Sequence, residues 1–108
     1  MAPDDLKRRI LDNHFVRDLL ALWRIDEEAY TDLCGALREL APVWRDVSAV
    51  DKELAAELYN ISGITRNMAD FFERRNLRKD ADDVRSKWIE LDALIQECHY
   101  GPPLKRAP

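Results

Sequence analysis

"LRKDADDVRSKWIELDALIQEC", residues 77–98, places Leu77, Ala81, Val84, Trp88, Leu91, Ile95 and Cys98 at alternating steps of four and three. Residues at that spacing share one face of a 3.6-residue helix, while the charges between them fall on the other face. The stretch therefore reads as an amphipathic helix whose apolar stripe needs partners.

Upstream, "RNLRKD" makes a turn, and a longer pattern precedes it. From about Ser48 to Arg75, the residues Val47, Val50, Leu54, Leu58, Ile61, Thr65, Met68 and Phe72 continue the steps of three and four. A shorter helix is expected from about Asp26, with "DEE" in its first turn, where negative charge offsets the positive helix end, and with Ala29, Leu33, Leu37 and Leu40 inward. Pro42 lacks an amide hydrogen, so that helix should end at "LAP", leaving Trp44 in the connection as a cover for one end of the core. The first helix starts near "PDDL", capped by Asp4 or Asp5, and carries Leu6, Ile10, Leu11, Phe15, Leu19, Leu22 and Trp23, with "DNH" at 12–14 as a second capping site that can break it.

Four amphipathic helices joined by short turns predict an all-α fold: a single-domain antiparallel four-helix bundle, up-down-up-down, over residues 1–100. Residues 101–108, "GPPLKRAP", are expected to be a frayed C-terminal tail. A chain of 108 residues suits one domain.

The third helix carries poor helix formers at its centre, "LYNISGITRN" at 58–67. Unbroken, it would be about 42 Å long against about 22 Å for the second, so it should overhang its neighbours or bend at Ser62-Gly63. Gly63 costs about 1 kcal/mol relative to Ala in a helix. It is expected either to permit a kink or close approach by another helix of the bundle, or to belong to a partner-binding stripe with Tyr59, Arg66 and Asp70, which are residue types and spacings suited to an interface.

The net charge of −4 is local in origin, because residues 26–60 hold three basic and nine acidic side chains while the flanking segments are each near neutral. The basic "RRNLRK" at 74–79 is expected to face "RIDEE" at 24–28 within the same end of the bundle. Asp46, Asp51, Glu53 and Glu57, with only Arg45 and Lys52 beside them, are expected to form an unpaired acidic surface with Trp44, Tyr59 and Asn60 beside it. Such a surface suits a basic protein partner and disfavours nucleic acid.

The chemistry of a site is not legible. Cys34 and Cys98 have no neighbouring Cys, and His14 and His99 lack the Glu-x-x-His spacing of a bundle metal site. Nothing resembles a phosphate-binding loop or a nucleophile elbow. Hence no enzyme activity, cofactor or metal is expected. The start "MAPDDLKRRI" lacks the apolar run of a secretory signal, and no stretch reaches membrane-spanning length, so a cytoplasmic location is expected.

In size, acidity and lack of catalytic motifs the chain is similar in type to bacterial immunity proteins and antitoxins. That likeness implies an interaction protein that blocks a toxin's active site. The alternatives are a homo-oligomeric scaffolding subunit, built through an overhanging third helix, and a small helical enzyme.

Overall fold

A computed structural model describes residues 3–101, in five helices: α1 (Pro3–Leu11), α2 (Phe15–Leu22), α3 (Glu27–Arg45), α4 (Lys52–Arg74) and α5 (Arg78–Tyr100). No strand occurs among the described residues, and the fold is all-helical. Of the expected tail, residues 101–108, all but Gly101 lie outside them.

The expected first helix is two. Asn13 breaks it: its carbonyl oxygen accepts from the Phe15 amide at 2.9 Å, and its amide group donates to the Ala29 carbonyl at 2.8 Å. A short polar side chain that serves the backbone in this way competes with the helical hydrogen bonds. Leu22 and Trp23, expected inward, are exposed, with Trp23 at φ 54° ending α2.

Asp26 caps α3 by accepting from the Ala29 amide at 3.0 Å, as the first-turn acidity suggested. The expected stop at Pro42 is overridden, since α3 runs through it to Arg45. The apolar face supplies the reason: Leu33, Leu37, Leu40, Ala41 and Trp44 are all buried. Burying a Trp stabilises by about 4 kcal/mol, enough to offset the roughly 3 kcal/mol that a proline costs in a helix.

Asp51, whose side chain accepts from the Leu54 amide at 3.0 Å, starts α4 later than expected. Val47 and Val50 consequently lie exposed in the loop rather than in the core. α4, the helix expected to be longer than its neighbours, is matched in length by α5, both being 23 residues long, and exceeds the 19 residues of α3.

α4 and α5 pair in opposite senses, residue 62 meeting 92, residue 66 meeting 88, and residues 70 and 73 meeting 85. α3 and α5 pair in the same sense, Glu27 with Lys87, the Leu37 carbonyl with Cys98, and Trp44 with His99. α3 and α4, although consecutive, do not pack on each other; α5 lies against both, and α1 with α2 contact both from the other side. The expectation that every pair of consecutive helices are neighbours fails here because the connection is not tight. Six residues, 46–51, can span about 20 Å, whereas the diagonal of a bundle with helices about 10 Å apart is about 14 Å.

The core is made by the expected stripes: Phe15, Leu19, Leu33, Leu37, Leu54, Leu58, Phe72, Val84 and Leu91 are almost wholly buried. Thr65 is buried among them, its hydroxyl donating to the Ile61 carbonyl at 2.6 Å. No helix of the described residues is long and apolar enough to cross a membrane.

Candidate functional site

The weak helix formers of α4 face a groove of about 460 Å³ between α4 and α5. Ser62 anchors one wall. It accepts from the Trp88 indole nitrogen at 3.2 Å and donates to an Asp92 carboxylate oxygen at 3.0 Å, while the Gln96 amide donates to the other Asp92 oxygen at 2.8 Å. The Arg66 guanidinium lies 5.7 Å from the centre of the Trp88 ring, within cation–π range. One turn from Ser62, Tyr59 is 80% exposed, and at the end of α5 Tyr100 is 86% exposed.

Gly63 opens the groove. A methyl group built on it would meet nothing within 4 Å, so the expected close approach by another helix of the bundle is absent. α4 is helical without interruption from Lys52 to Arg74, and the glycine leaves open space along the groove.

At one end His99 hydrogen-bonds through Nδ1 to the Ile95 carbonyl at 3.0 Å, which fixes Nδ1–H as donor and turns Nε2 away from its own helix. Its ring meets the edge of Trp44 with centroids 5.5 Å apart. Ser62 donates directly to a carboxylate with no imidazole between them, so the arrangement does not activate a nucleophile in the manner of a Ser-His-Asp triad. What it offers is aromatic surface, one guanidinium, one anchored carboxylate and room, a combination suited to holding a ligand or a peptide segment.

The expected site residues divide. Tyr59, Gly63 and Arg66 line the groove, and Asn60 is exposed beside Tyr59. Asp70 lies beyond it, paired with Arg85 at 3.3 Å. Trp44, expected as a surface anchor, is only 8% exposed, because α3 continues past Pro42 and carries it into the core.

The expected unpaired acidic surface is half neutralised. Lys7 of α1 reaches Asp51 and Glu53, each at 2.9 Å. The Lys7 ammonium is held well above its usual range by those hydrogen bonds, chiefly the one to Asp51. Asp51 is held below the carboxylate range by the Leu54 amide and by Lys7. Asp46 and the half-buried Glu57 make no ion pair among the described residues.

The basic turn also behaves otherwise than expected. Arg74, Arg75, Arg78 and Lys79 meet no carboxylate among the described residues, and Arg75 instead stacks 5.2 Å over Trp23 and 4.8 Å over Phe71. Within "RIDEE", two acidic groups are paired elsewhere, Glu27 with Lys87 at 2.9 Å and Asp26 with His14 at 2.8 Å.

Ser62, Trp88, Asp92, Gln96, His99 and Tyr100 were not singled out as site residues on the sequence. Trp88, a half-buried member of the apolar stripe, leads at steps of four, four and three to Asp92, Gln96 and His99 along α5, a second stripe that branches from the core stripe. That stripe becomes meaningful once α5 is placed against Ser62 and Gly63.

Compared with protein families, with curated proteins and with solved structures, the chain matches none.

Proposed function

We propose that this chain is a small acidic interaction protein that binds and neutralises a basic protein partner by seating one of its segments in the α4–α5 groove. In type this is the work of an immunity protein or antitoxin covering a toxin's active site in the bacterial cytoplasm. The reading takes the helices as an antiparallel up-down-up-down bundle, with a bend of α4 near Gly63 widening the groove as the partner enters.

One observation carries it: Gly63 sits in the middle of a helix with open space where its side chain would be, between the exposed Tyr59 and the Arg66–Trp88 stack. A glycine there costs helix stability and relieves no crowding inside the fold. It lets another molecule's surface approach the helix backbone. The net charge of −4, with Asp46 and Glu57 unpaired among the described residues, favours a basic partner and speeds its encounter.

The test is capture of partners from native extract at low salt, run side by side with the wild-type chain, Gly63→Leu and the double variant Tyr59→Ala with Tyr100→Ala. A basic protein retained by the wild type, released as salt rises and lost from both variants, supports the reading. Equal retention by Gly63→Leu removes the groove as its seat, and insensitivity to Asp46→Lys with Glu57→Lys removes the electrostatic part.

A further inference from the structure

Away from the groove, three side chains converge at the starts of α2 and α3: His14 just before α2, Asp18 in its first turn, and Asp26 just before α3. His14 Nε2 lies 2.8 Å from an Asp26 carboxylate oxygen and 3.9 Å from one of Asp18, and the three donor atoms all lie within 4.8 Å of one another. Around a tetrahedral ion with bonds of about 2.1 Å, ligand atoms sit about 3.4 Å apart, a value inside the range these atoms already span. From this we infer a binding site for a divalent transition ion of the zinc class, with His14, Asp18 and Asp26 as its protein ligands.

The backbone arranges these donors in advance. His14 and Asp18 are four residues apart at the start of α2 and so share one face. Asn13, bonded to both the Phe15 amide and the Ala29 carbonyl, sets His14 against the beginning of α3. Asp26 spends one carboxylate oxygen on the Ala29 amide and turns the other to His14.

The donor set selects the ion. One imidazole nitrogen with two carboxylate oxygens suits zinc, cobalt or manganese better than calcium, which takes six or more oxygens, or magnesium, which keeps most of its water. Two carboxylates neutralise the ion's charge, although Arg24, two residues before Asp26, opposes it. Three protein ligands leave a fourth position for water, and a recess of about 370 Å³ bordered by Asp12 and Glu28 reaches one of the three, His14. Arg9, which also borders that recess, has its charge engaged by Asp32 and Glu39. The ion would link α2 to the first turn of α3. Nothing in the spacing of His14, Asp18 and Asp26 resembles a bundle metal motif, because the third ligand is supplied by the loop before α3.

Calorimetric titration of the chelator-treated full chain with zinc alone, and a cobalt absorption spectrum, test this. Expected is one ion per chain with a dissociation constant below about 10 μM. His14→Gln and Asp18→Asn should each weaken binding by at least about tenfold. Neither substitution removes a helix cap, since the α2 cap at His14 makes no side-chain bond and Asp26 is left in place. His99→Gln should bind as the wild type does, and circular dichroism checks that each variant is folded. No stoichiometric binding, binding indifferent to His14→Gln and Asp18→Asn in folded protein, or a cobalt spectrum with thiolate bands from Cys34 or Cys98 would each overturn the site.

Discussion

The Trp88 indole nitrogen donates to the Ser62 hydroxyl across 3.2 Å, and Ser62 in turn donates to Asp92 at 3.0 Å, so one hydroxyl joins α4 to two positions of α5. This bond sets the register of the helix pair at the groove. It also turns the Trp88 ring so that Arg66 can lie over it.

Ser62→Ala removes an acceptor from Trp88 and a donor from Asp92 at once. Both groups border the open groove and can take water in exchange, so the loss of stability should be about 1 kcal/mol. Urea denaturation measures it; a loss several times larger would mean that the groove is closed to solvent.

Gly63→Ala should stabilise the free protein. The added methyl meets nothing within 4 Å, and alanine is favoured over glycine in a helix interior by up to about 1 kcal/mol. For a domain of this size that corresponds to a rise in Tm of about 4 °C. A fall in Tm would show that α4 needs glycine for its own conformation.

Pro42→Ala restores the hydrogen that proline lacks, opposite the Arg38 carbonyl one turn earlier in α3. The expected gain is about 1 to 3 kcal/mol, read as a higher urea midpoint at unchanged slope. No gain would indicate that the last turn of α3 is held by Trp44 alone.

Burial pushes the Cys98 thiol up to about 12, with the charge of Glu97 adding to the effect, and burial raises Cys34 as well. The folded state therefore holds these protons more tightly than the unfolded chain, in which a thiol titrates near about 8.5. The resulting stability is complete below that pH and is lost as pH rises from about 8.5 toward 12. Tm measured from pH 7 to 10 should fall over the upper part of that range. In native protein both thiols should react with a disulfide reagent no faster than the chain opens; rapid reaction at pH 8 would contradict their burial.

Local order was legible in the sequence because its causes are local. The periodic stripes of α4 and α5 follow from 3.6 residues per turn, and the cap at Asp26 follows from one side chain reaching an amide three residues on. Tyr59, Gly63 and Arg66 were legible as a stripe for the same reason. What the tertiary structure decided was which stripes meet. Placing α5 between α3 and α4 brought Trp88 and Asp92 to Ser62 and made a groove of two half-sites far apart in the chain. Packing α1 near the start of α4 put Lys7 between Asp51 and Glu53, and burial of Trp44 carried α3 through Pro42. Periodicity assigns a residue to a face of its own helix. Register between helices, and the charges and cavities that result from it, depend on side chains from distant segments fitting together in space.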